Sequence, residues 1–152
     1  MKRLVATIAA LVLLCLAAYA ATRGTPAEAK AMLQKAVDHY KSVGRKQALS
    51  DFSGGKAPFH DRDLYVVCIA SDHKVLANGG FPAYVGISAD TLLDAKGQAL
   101  GKSFWDAASK APLGSVDYPM INPVTKKMES KTMFYSRVAD DLLCGVGAYS
   151  AH

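Results

Sequence analysis

The sequence predicts an α+β domain, with helices packed on an antiparallel sheet. Three observations carry this. A long amphipathic helix opens the domain, a strand–turn–strand pattern follows it, and the C-terminal part alternates like a three-stranded meander. Thr25-Pro26-Ala27-Glu28 is a helix start: Thr25 can cap, Pro26 suits the first helical position, and Glu28 completes a capping box. Ala29, Met32, Leu33, Ala36, Val37, Tyr40 and Val43 then recur in steps of three and four, tracing one helical face. Gly44 is a natural stop, so a helix is expected over 26–43. A second, shorter helix is expected over Arg45–Phe52, with Ala48, Leu49 and Phe52 inward.

A loop at 53–58 leads to Leu64–Ala70, a strand apolar on both faces and so expected at the centre of the sheet, covered on both sides. Ser71-Asp72-His73-Lys74 reads as a turn and Val75–Asn78 as the returning strand. A Gly- and Pro-containing stretch, Gly79–Gly86, gives way to Leu92, Leu93 and Leu100 among polar turns, then to a helix over Lys102–Lys110 carrying Phe104, Trp105 and Ala108. Strands are expected over Gly114–Ile121, Lys127–Val138 and Leu142–Tyr149, separated by Asn122-Pro123 and Asp140-Asp141 turns.

Ahead of this domain stands a leader. Met1-Lys2-Arg3 is a short positive region, Leu4–Leu16 carries no charge, and Ala18-Tyr19-Ala20 fits the small-x-small pattern of a signal peptidase site. Residues 1–20 are therefore expected to be a signal peptide cleaved after Ala20, leaving 21–152 as one domain in the periplasm or outside the cell. The alternative is an uncleaved N-terminal membrane anchor, because the apolar run approaches the length of a spanning helix. Leu14 before Cys15 departs from a lipobox.

Cleavage would remove two of the charges behind the net +5, and the remaining basic residues are scattered among acids with no aromatic-basic stripe. No nucleic-acid partner is expected. His39, His60, His73 and His152 form no HxxxH or HExxH pair, so no metal is expected, and each histidine reads as solvated. There is no GxSxG, no phosphate-cradling glycine loop and no CxxCH. Gly79-Gly80 and the Gly145-x-Gly147 pair are isolated, the latter inside a strand. The expectation is a non-enzymatic protein with no cofactor. Cys68 and Cys144 sit midway along apolar strand-like runs; they allow one internal disulfide or two buried thiols.

Several segments together resemble the single Cache domain, type 2, an extracytoplasmic sensor module with a PAS-like, profilin-like fold. They are Asp63-Leu64-Tyr65-Val66-Val67 preceded by Pro58-Phe59; Val75-Leu76-Ala77 with Pro82-Ala83-Tyr84-Val85-Gly86; Val116-Asp117-Tyr118; Asn122-Pro123-Val124-Thr125; Lys131 to Tyr135; and Gly145-Val146-Gly147-Ala148-Tyr149. The likeness spans roughly residues 26–149. Three places depart from the pattern. Asn78-Gly79-Gly80 stands where a His-Pro is frequent, Ser115 where a Trp is common, and Asp72-His73 where Asp-Gly is usual.

The resemblance implies a long N-terminal helix packed on a five-stranded antiparallel sheet. Its first and last strands would lie side by side, which would make Cys68 and Cys144 neighbours and favour the disulfide. It also implies a small-molecule site on one face of the sheet, for a small carboxylate or similar metabolite. Alternation places Lys131, Met133, Tyr135 and Arg137 on one face of their strand. A buried Lys131 would need an anion, which a ligand carboxylate would supply. Tyr118 and Tyr135 would add hydroxyl donors, Tyr65 would reach in from the first strand, and Phe104 with Trp105 would close the pocket. Arg137 completes the candidate ligand-binding set. The function implied is an exported sensor-type binding protein that signals through a partner such as a membrane receptor. The alternative is a ligand-free interaction or accessory subunit of an envelope complex.

Overall fold

The computed structural model describes residues 23–93 and 97–150. The expected signal peptide lies outside them, and no helix among the described residues is long and apolar enough to cross a membrane. The elements are α1 (Pro26–Val43), α2 (Arg45–Ser53), β1 (His60–Asp61), β2 (Leu64–Ala70), β3 (Val75–Asn78), α3 (Leu100–Lys110), β4 (Leu113–Ile121), β5 (Met128–Ala139) and β6 (Leu142–Tyr149).

The expected α+β fold is what forms. The sheet order is β1-β2-β6-β5-β4, with β3 also paired to β2, and all pairings are antiparallel. The sheet has six strands rather than five because the two-residue β1, too short to leave a hydrophobic period, pairs with the start of β2.

The capping box at α1 forms as its residues dictate. The Glu28 amide donates to Thr25 Oγ1, and Glu28 Oε2 accepts from the Thr25 amide at 2.7 Å. The helix buries Ala29, Met32, Leu33 and Ala36. They join Phe52, Leu64, Val66, Leu142 and Val146 in a core on one face of the sheet. The other face carries a second core of Ile69, Val75, Leu100, Phe104, Met133 and Leu143, covered by α3 and residues 79–93. Two covered faces explain why β2 and β6 are apolar throughout.

Cys68 and Cys144 are directly opposite in the β2–β6 register and form a disulfide, with Cα atoms 4.1 Å apart. Both cysteines are buried in the helix-side core.

A polar network ties the chain just before α1 to the far end of the sheet. The Gly24 amide donates to Asp63 Oδ1 at 2.6 Å. Asn122 Nδ2 donates to both Asp63 and Glu129, at 3.1 and 3.0 Å. Arg23 holds Glu129 in a two-pronged pair at 2.6 and 2.8 Å, which with Thr125 and Asn122 keeps that carboxyl down at about 2. Asp63, Asn122 and Glu129 are all buried, and their mutual bonds are what make that burial tolerable.

Candidate functional site

On the face of the sheet opposite α1, a cavity of about 30 Å³ lies under residues 79–93. Tyr65, Tyr118 and Met120 rise to it from the sheet, and Tyr84, Leu92 and Phe104 close it from above. The walls are largely apolar. The side chain of Asn78, which also borders the cavity, is committed to the amides of Gly80 and Phe81 at 3.1 and 2.8 Å, fixing the start of the cover.

The cover is latched a second time. His73 carries φ 65°, the left-handed conformation that normally favours glycine, and its Nδ1 lies 2.6 Å from Asp90 Oδ2. The other Asp90 oxygen accepts the Lys102 amide at 2.9 Å. That bond supplies the cap missing at Ala99, and α3 accordingly begins at Leu100, two residues earlier than its side chains suggest. The histidine contacts, chiefly, hold the Asp90 carboxyl below its ordinary range. His39 is likewise engaged, 2.7 Å from Asp51 and tilted against Phe59, so neither histidine is simply solvated.

Beneath the cavity lies Lys131, the most unusual residue of the fold. It is 1 % exposed and forms no ion pair among the described residues. Register explains its surroundings. Lys131 sits opposite Tyr118 on β4 and opposite Tyr149 on β6. Its stem crosses Gly147: a Cβ there would stand 2.0 Å from Lys131 Cε. The missing side chain leaves room for that stem, whose Nζ lies 3.8 Å from the Tyr65 ring centroid. The Tyr149 ring is 4.4 Å from Nζ and its hydroxyl 3.3 Å. Gly145 makes the same room for Met133. The Gly145-x-Gly147 pair is thus the sequence signal for this site, legible only once the opposite strand is known.

Two tyrosine faces favour a cation, but they do not replace water. Burial pulls the Lys131 amine down to about 7, and the Asp63 carboxylate opposes this only weakly. Burial pushes the Tyr65, Tyr118 and Tyr149 phenols upward, so they stay protonated; the Tyr149 hydroxyl donates to the Ile121 carbonyl at 2.9 Å and faces the Tyr65 hydroxyl at 3.4 Å. Replacing Gly147 with alanine is expected to displace the lysine stem and cost about 1–3 kcal/mol in denaturant unfolding, as overpacking does.

Of the six candidate residues, the structure gathers three: Lys131, Tyr65 and Tyr118. The Tyr65 ring is the link, lining the cavity on one side and receiving the ammonium on the other. Tyr135 is buried on the same face, but its hydroxyl donates to the Ala111 carbonyl at 3.3 Å. Arg137 and Trp105 pair with each other further along, guanidinium to ring 5.9 Å. Tyr149 and Tyr84 join the site without having been singled out; Tyr149 appeared only as the end of a strand, and Tyr84 lies in a connection without periodicity.

Comparison with known families matches residues 1–151 to the family described as Single Cache domain 2. Comparison with curated protein sequences finds no match. Among solved structures, the chain resembles a methyl-accepting chemotaxis protein from Vibrio parahaemolyticus, with a TM-score of 0.66 and 19% identity over 80% of this chain and 86% of that one. It resembles the periplasmic sensor domain of a chemotaxis protein, at 0.60 and 15%, over 80% and 88%. It also resembles a Cache chemosensory domain described for carboxylic acid recognition, at 0.61 and 16%, over 80% and 85%.

Proposed function

The chain belongs to the single Cache domain 2 family of sensor domains, and from that premise we propose that it binds a small monocarboxylate against Lys131 and passes the event to a partner protein. The observation that carries this reading is a fully buried lysine with no carboxylate paired to it among the described residues. A lone buried ammonium is costly, and the missing counter-charge is the one a ligand would bring. The Tyr118 hydroxyl supplies a donor that orients an anion, and the apolar cavity walls accept a short carbon chain.

Size narrows the class. A cavity of about 30 Å³ is only two to three times the space one water needs. Lys131 does not itself line this cavity, and the Tyr65 ring lies between them, so a carboxylate seated there reaches the ammonium only when that ring turns aside; the small volume favours two- and three-carbon monocarboxylates over larger acids. No catalytic step is assigned, and the Met1–Ala20 leader supports an extracytoplasmic place of work, by cleavage or by tethering.

Calorimetric titration with acetate, propionate and succinate at pH 6.5 tests the proposal. Acetate or propionate is expected to bind, and succinate more weakly. No heat and no thermal stabilisation with any of the three would overturn it. Affinity should also depend on pH. The carboxylate binds the ammonium form, so above pH 7 binding must take up a proton, and affinity is expected to fall roughly tenfold per pH unit. Below pH 7 it should level off until the ligand itself protonates.

A further inference from the structure

A second recess lies on the opposite face of the sheet. A groove of about 660 Å³ runs between α1 and the sheet edge. One wall is a helical stripe, Lys30, Leu33, Val37 and Lys41, with the two lysines exposed at its ends. The other wall is Leu113 and Ser115 of β4, with Phe134 of β5 behind them. No acidic residue lines the groove, and Lys30 lies over the Phe134 ring at 4.8 Å.

This wall is also the free edge of the sheet, because β4 pairs only with β5. The register fixes which backbone groups are spare. The Arg137 amide donates to the Pro112 carbonyl at 2.8 Å, and Leu113 stands opposite Ser136. Even-numbered residues of β4 therefore bond to β5, and the amides and carbonyls of Leu113, Ser115 and Asp117 point away from the sheet. Pro119 occupies the next outward position and has no amide to offer, so the usable edge ends there. Leu113, Ser115 and Asp117 are exposed.

We propose that β4 and this groove take up an extended segment of a partner protein as an added strand, with an apolar residue opposite Leu113 flanked two positions away on each side by acids, a register that keeps both acids off the exposed Asp117. The spare backbone groups supply the pairing and the two lysines supply the charge complement. The spacing agrees. Lys30 and Lys41 are eleven residues apart on α1, about 16 Å along the axis. Residues i and i+4 of a strand are about 13 Å apart on one face, and flexible lysine stems close the difference. The cationic leader Met1-Lys2-Arg3 has the wrong charge for this groove.

The test uses a capped heptapeptide with glutamate at positions two and six, leucine at four and threonine elsewhere, and a second peptide with lysine replacing both glutamates. The glutamate peptide is expected to bind at least tenfold more tightly, and to slow hydrogen exchange of the Leu113 and Ser115 amides. The double variant Lys30→Glu/Lys41→Glu should reverse the preference between the two peptides. Ser115→Pro should weaken the glutamate peptide at least tenfold while leaving the fold intact, since Pro119 already occupies an equivalent outward position. Equal binding of both peptides would overturn the proposal. So would binding without protection of Leu113 and Ser115, which is also the pattern expected of an anionic amphiphile such as decanoate lying in the groove.

Discussion

Substituting methionine for Lys131 is expected to stabilise the protein by about 2 kcal/mol at pH 6 and to abolish its response to carboxylates. Methionine fills a similar volume across Gly147 without carrying a charge into the core, and removing a poorly compensated buried ion commonly stabilises by about 1–4 kcal/mol. The pH dependence has a definite sign. The Lys131 amine is held down at about 7 in the folded chain, against about 10.4 when unfolded. Below pH 7 the folded protein bears the whole cost of the buried charge. Between pH 7 and 10 the unfolded chain keeps a proton that the folded chain has lost, so the cost shrinks as pH rises. The advantage of the methionine variant should therefore be largest below pH 7 and fade towards pH 10. Urea unfolding of both proteins at pH 6, 8 and 9.5 measures this. Acetate at a hundredfold excess over its dissociation constant should add about 2.7 kcal/mol to the wild-type protein and nothing to the variant. A stabilising loss of ligand response would identify Lys131 as a residue whose cost is tolerated for binding, whereas a destabilised variant would make it structural.

The disulfide gives the second large effect. Cys68 and Cys144 are 76 residues apart in sequence, and cross-linking a loop of that length restricts the unfolded chain by about 4 kcal/mol on the chain-entropy model. The double variant Cys68→Ala/Cys144→Ala is expected to lose that much in guanidinium unfolding, with a larger m-value as the unfolded ensemble expands. The two core clusters still hold the domain together, so it should remain folded. Both cysteines are 0–1 % exposed, so dithiothreitol should reduce the bond at the rate of global unfolding. Rapid reduction under native conditions would contradict a bond sealed in the core.

The elements with strong local rules were readable from the sequence. Thr25 and Glu28 fixed the start of α1, Gly44 its end, and the unbroken apolar runs marked β2 and β6 as central. Alternation along β5 correctly placed Lys131, Met133 and Tyr135 on the buried face. What alternation cannot supply is position along the strand: it put Arg137 on the face of Lys131, and the structure sets it against the Trp105 ring at 5.9 Å. The stretch 79–93 has no period at all; its position is set by Asn78, His73 and Asp90, contacts that only tertiary structure creates. Gly147 shows the same limit most sharply, since its meaning lies in the side chain of a residue sixteen positions earlier.

The ionisation of Lys131 is the most direct measurement of the account. With lysine labelled at ¹³Cε, one resonance should titrate near pH 7 in the free protein, disappear in Lys131→Met, and move to a higher midpoint when acetate or propionate is added. A Lys131 resonance that titrates near the ordinary lysine value of about 10.4, or one whose midpoint no carboxylate moves, would contradict the account.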